Sequence, residues 1–140
     1  MDTEKYLFYF QRYVGHEQAG KFAAKTRALA QKRMEDLALA GGASTSWSDV
    51  SFLEAAIEAL LECRRVLKHT YIYGFYLEDG SEKRLFEHLQ EQLERSTEHL
   101  QELAETPLDK MDRGEVVNFT RVTSTFLRNL LEGIEAGLTM

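Results

Sequence analysis

The chain has 140 residues, 44% hydrophobic and 29% charged, which is one domain's worth of material with enough apolar side chain for a sizeable core. Its formal charge of −6 argues against a nucleic-acid or anionic-membrane partner, since either calls for a basic face; a partner selected by net charge is basic. A single cysteine excludes an internal disulfide framework and a thiolate zinc site built within the chain, and no apolar run approaches the roughly 20 residues of a membrane span.

The charged opening residues do not read as a signal peptide, so the expected location is the cytoplasm, with the nucleus as a second compartment. One proline, and glycines mostly at candidate breaks, favour long helices over a sheet with many turns. The first helical stretch runs from Asp2 to about Ala40, with Asp2 or Thr3 as its cap. Tyr6, Tyr9, Phe10 and Tyr13 share one face. Further on, Phe22, Leu29, Met34 and Leu37 carry the apolar character. At about 100° per residue, Phe22 lies roughly 160° around the axis from Tyr6, so the buried face rotates. Either the helix bends near Gly15 or Gly20, or its halves meet different partners.

Residues 41–45 read as a loop, and Ser46-Trp47-Ser48-Asp49 as a capping box in which Trp47 anchors the loop on the bundle. The stretch from Ser46 to Leu77 reads as one helix about 45 Å long with two adjacent apolar stripes. Val50, Leu53, Ile57, Leu60, Arg64, Leu67, Tyr71 and Gly74 form one; Phe52, Ala56, Ala59, Cys63, Val66, Thr70, Tyr73 and Leu77 form the other. A helix apolar over more than half its circumference is covered on more than one side, which makes this the central helix.

Asp79-Gly80 is a turn pair, and Ser81-Glu82 restarts a third helix with a single stripe through Leu85, Phe86, Leu89, Leu93, Ser96, Leu100 and Leu103. Its outer face is rich in glutamate: Glu87, Glu91, Glu94, Glu98. Thr106-Pro107-Leu108-Asp109 reads as the start of a fourth helix, Thr capping and Pro107 in the first helical position. Met111, Phe119, Val122, Phe126, Leu130 and Ile134 then point inward, with fraying expected at Gly133 and Gly137. The expected fold is all-α: an elongated antiparallel bundle of about four helices around a long central helix, one domain over residues 1–140.

Familiar catalytic patterns are missing from the sequence. No histidine has the Glu-x-x-His partner of a di-iron bundle, and no glycine-rich phosphate loop appears. His88 and His99 are about 16 Å apart along a helix, too far to share a metal. Cys63 sits mid-helix in an apolar stripe, the setting of a buried structural thiol. Arg64 reads as a register-fixing cation paired with a carboxylate of the third helix. The run Tyr71, Tyr73, Phe75 and Tyr76 reads as core packing, with ligand stacking as the alternative. The glutamate face of the third helix is either plain solvated surface or a binding surface. These residues describe a helical, acidic interaction domain with no catalytic group and no cofactor of its own.

The chain also resembles a known family. Ser46-Trp47 followed by Val50-Ser51-Phe52-Leu53, then Cys63-Arg64, then the string from Thr70 to Leu77, is similar to the Ariadne domain. So are Leu85-Phe86-Glu87, the string Leu93-Glu94-Arg95-Ser96-Thr97-Glu98, and the opening Tyr6 to Tyr13 with His16. Residues 5 to about 100 carry the match; the remainder matches mainly through Arg121-Val122. The resemblance implies a helical regulatory domain from the C-terminus of a RING-between-RING ubiquitin ligase. Such a domain folds back on the catalytic RING-like domain of the same parent chain and masks its active-site cysteine until a neddylated cullin-RING ligase releases it. Zinc then belongs to parent modules absent from this chain. The contact positions that match are Phe22 on the first helix and Glu87 and Glu98 on the third; the acidic neighbour of Phe22 is replaced here by Ala23. The alternatives are a helical scaffold or adaptor without effect on catalysis, and a small-molecule-binding bundle built on the tyrosines.

Overall fold

The structure, a computed structural model, describes residues 3–41, 51–107 and 110–137, with the side chains of only some residues between 22 and 41. In chain order α1 is Thr3–Gly41, α2 is Ser51–Phe75, α3 is Ser81–Glu105 and α4 is Arg113–Glu135. Among the described residues there is no strand. The fold is an all-α bundle, as the helical periodicity requires.

α2 is the central element and packs against α1, α3 and α4. Every described member of its first stripe is buried: Leu53, Ile57, Leu60, Arg64, Leu67, Tyr71 and Gly74. The second stripe is buried at Ala56, Cys63, Val66 and Thr70. Tyr73 departs from it: its ring leans on Phe86 at 5.1 Å yet stays 38% exposed. Cross-contacts fix the directions. Tyr6 meets Phe75, Tyr9 meets Tyr71 and Arg27 meets Glu58, so α1 runs antiparallel to α2. Thr70 meets Gln90 and Arg64 meets Glu98, so α3 is antiparallel to α2; Ser96 meets Thr123 and His99 meets Phe119, so α4 is antiparallel to α3.

The core falls into two apolar clusters. One joins Leu53, Ile57, Leu60, Leu100 and Val116; the other joins Leu67, Phe86, Leu93 and Leu130. Between them lies a polar waist of buried Arg64, Ser96, Thr97 and Thr123. Ser96 and Thr123 exchange a hydroxyl hydrogen bond at 2.6 Å and Thr97 donates to the Leu93 carbonyl at 2.7 Å, so the three hydroxyls are satisfied where they are buried.

Several local expectations change. α1 is helical without interruption through Gly15 and Gly20, about 58 Å of helix. Leu29, placed among its apolar positions, is 54% exposed. The Ser46–Asp49 capping box and Trp47 lie outside the described residues. Pro107 does not begin α4. Thr106 instead ends α3: its backbone is extended, the bias imposed on any residue before proline, and its hydroxyl donates to the Glu102 carbonyl at 3.0 Å. α4 starts later, with the Asp112 carboxylate accepting from the Glu115 amide at 3.1 Å. Gly137, expected to mark fraying, adopts a left-handed φ of 74° and donates to the Ile134 carbonyl, closing the helix instead.

Candidate functional site

Positions 87, 94 and 98 of α3 fall within about 40° of one another around its axis, forming a carboxylate stripe. The bundle turns that stripe toward the seam between α1 and α2. Glu98 accepts from Arg64 Nη1 at 2.8 Å, and Arg64 Nη2 donates to the Gln101 side chain. Arg64 Nη1 also donates to His16 Nδ1 at 2.9 Å, so His16 accepts there and carries its proton on Nε2, which faces Glu94 at 3.6 Å. The Tyr71 hydroxyl donates to Glu94, and its ring stacks on His16 at 5.6 Å.

One buried guanidinium thus joins α1, α2 and α3. Arg64 and His16 are 3% and 5% exposed, whereas the Glu98 side chain is 57% exposed. The pair is therefore half-solvated: Arg64 is fixed and Glu98 lies at the rim. Burial pushes the Glu94 carboxyl up, but His16, Tyr71 and the charge of Arg12 together hold it below its ordinary value. Tyr71 is pushed well above the usual phenol range by burial and by the Glu94 carboxylate, so it remains a donor. Burial also drives the Cys63 thiol up to about 11, which suits a packing role and not a nucleophile.

Glu87 is exposed and lies 4.0 Å from Lys83. It lines a cleft of about 370 Å³ together with Phe8, Arg12, Glu91 and Arg95. Glu87 and Glu98 are thus on the same side of α3, with Glu94 between them. Phe22 lies within α1, but its side chain, like that of Ala23, is outside the described residues. Arg64 meets the third-helix carboxylate its place in an apolar stripe called for. Tyr71 is buried, Phe75 is half-buried and Tyr76 is 78% exposed, so the tyrosine run leaves the core at its far end.

Sequence chemistry does not single out His16, and it places Glu94 on an outer glutamate face, whereas Glu94 meets His16 and Tyr71. His16 follows Tyr9 by seven residues and so shares its α2-facing side, which was the available signal. Among the described residues no three His, Cys, Asp or Glu side chains gather in a way that would hold a metal ion.

Fold and site together define an all-α bundle whose polar chemistry ties helices to one another along an acidic rim. The sequence matches the family described as "Ariadne domain" over residues 4–140, and the chain belongs to that family. It is 38% identical to "Probable E3 ubiquitin-protein ligase rbrA" of Dictyostelium discoideum over 98% of this chain and 28% of that protein. It is 40% identical to "E3 ubiquitin-protein ligase ari-1.1" of Caenorhabditis elegans over 77% of this chain and 21% of that protein. With "E3 ubiquitin-protein ligase ARIH2" of Mus musculus the identity is 33%, over 92% of this chain and 26% of that protein. The chain therefore spans less than a third of the length of each of these relatives.

Proposed function

We propose that this chain is the regulatory portion of a RING-between-RING ubiquitin ligase and that it masks the ligase's catalytic RING-like domain. The Ariadne match over residues 4–140 carries the reading. The three relatives are all described as E3 ubiquitin ligases, and this chain aligns with a minor part of each. Its own residues do not fit a thiolate zinc site, since Cys63 is the only cysteine and is buried. Zinc and the catalytic cysteine then belong to other modules of the parent protein.

In this reading Glu87, Glu98 and Phe22 form the masking surface, and a neddylated cullin-RING complex relieves it. The two carboxylates are separated by eleven residues of α3, about 16 Å, and share one side of the helix. A basic surface on a zinc-bound catalytic module is a suitable electrostatic complement. Arg64 restrains Glu98, so the carboxylate meets a partner with little further loss of side-chain freedom.

The test adds this chain in trans to a separately expressed catalytic module and follows ubiquitin discharge from its cysteine. Discharge slows with the unmodified chain and recovers with Phe22→Ala, Glu87→Ala and Glu98→Gln combined, provided the variant keeps its helical circular dichroism. Unaltered discharge at saturating chain removes the masking reading. Binding to a cullin-RING complex with no change in discharge supports the adaptor reading instead.

A further inference from the structure

A second concave surface takes no part in the masking reading. It lies between the start of α1 and the end of α2, has a volume of about 260 Å³, and is walled by Tyr6, Tyr9, Phe10 and Tyr13 against Phe75 and Tyr76. These rings are only partly packed: Tyr6 is 44% exposed, Phe10 50% and Tyr76 78%. Ile72, which also lines it, is 47% exposed. Apolar surface gathered in one place in this way marks a contact site, whereas scattered exposed residues do not.

The local charge runs opposite to that of the whole chain. None of the residues lining the groove is Asp or Glu, although the chain has 23 acidic residues. Lys5 lies over the Phe75 ring at 5.3 Å and Lys68 over Tyr13 at 5.9 Å. Two cations are thus held against the aromatic walls by their rings, with their charge at the rim. An apolar floor with a basic rim is complementary to an apolar segment flanked by carboxylates. The groove is smaller than the roughly 300–1,000 Å³ of small-molecule sites, and its size suits one or two bulky side chains of a peptide. A bilayer would call for a protruding face, and this one is concave.

We propose that this groove docks an acidic segment of a separate partner protein, with one or two Leu, Phe or Trp side chains between the rings and Asp or Glu side chains against Lys5 and Lys68. Neither Glu87 nor Glu98 lines it, so the inference stands or falls apart from the masking reading.

A library of random short peptides displayed on phage is selected against the immobilised 140-residue chain, and enriched peptides are measured by fluorescence anisotropy. The expected consensus has a bulky apolar residue flanked by Asp or Glu. Affinity falls about tenfold or more with Phe10→Ser and with the Lys5→Glu/Lys68→Glu pair, and weakens with added salt. All three positions are at least partly exposed, so the fold is retained and circular dichroism checks it. Absence of enrichment, a basic consensus, or affinity indifferent to Phe10→Ser overturns the proposal. So does a dimer abolished by Phe10→Ser in sedimentation, which gives the groove to a second copy. Binding to phosphatidylserine vesicles without peptide enrichment gives it to a membrane and likewise overturns it.

Discussion

At the scale of single residues, Arg64 decides how α1, α2 and α3 meet. It donates to His16, Glu98 and Gln101 while its Nε has no hydrogen-bond partner among the described residues. Arg64→Met removes that orphan donor, but it strands a buried His16 nitrogen and leaves Glu98 to solvent. The balance is a loss of about 1–3 kcal/mol, read from urea unfolding, since an unsatisfied buried acceptor costs about that much. Glu98→Gln keeps an acceptor for the guanidinium and loses less, at most about 1 kcal/mol, because Glu98 is half in water. Cys63 gives a second prediction. Its thiol is fully buried and raised to about 11, so an aromatic disulfide reagent at neutral pH labels it only at the rate of unfolding, and denaturant makes labelling immediate. Arg64 was legible in the sequence because a cation in an otherwise apolar stripe needs a buried partner. His16 was not, because its role depends on a guanidinium 48 positions away that periodicity does not bring into view.

At the scale of elements, legibility follows how many faces a helix buries. α3 has one stripe, and Phe86, Leu93 and Leu100 are each almost fully buried at heptad spacing. α1 has no single stripe, so its pattern fits both a bend and a change of partner along its length. The fourth helix was misplaced because Thr106-Pro107 carries genuine end chemistry that serves the end of α3, while Asp112 caps α4. Asp112→Ala should cost about 1 kcal/mol in chemical denaturation, and Thr106→Ala distinctly less, since Thr106 only adds one hydroxyl bond to a helix already stopped by Pro107. Gly74 tests the close approach of α1, α2 and α3. A Cβ there would meet the Phe86 ring at 2.9 Å and Tyr9 at 3.4 Å. Gly74→Ala gains about 1 kcal/mol of helix propensity but forces a ring that is 1% exposed to move. Overpacking costs about 1–3 kcal/mol, so a lowered melting temperature is expected, in contrast to the usual effect of Gly→Ala in a helix.

At the scale of the molecule, two apolar clusters are joined by a polar waist, and Glu94 is where α1, α2 and α3 share one charge. His16 approaches it from α1 and Tyr71 donates to it from α2. Its carboxyl is held below the ordinary value of 4.5 despite a burial that works the other way. The sign of the pH dependence follows. The folded state binds this proton less readily than the unfolded state, so the contribution of Glu94 is present above 4.5 and is lost as pH falls through the lower folded value. Urea unfolding of the chain should therefore show stability level between neutral pH and the ordinary carboxylate range, then falling steeply in acid. Glu94→Gln removes the titrating group while keeping an acceptor for the Tyr71 hydroxyl. It should be less stable at neutral pH and show a shallower acid limb, so the two curves converge at low pH. Parallel curves would place the acid sensitivity on other carboxylates of this acidic chain and leave Glu94 as a hydrogen-bond acceptor alone.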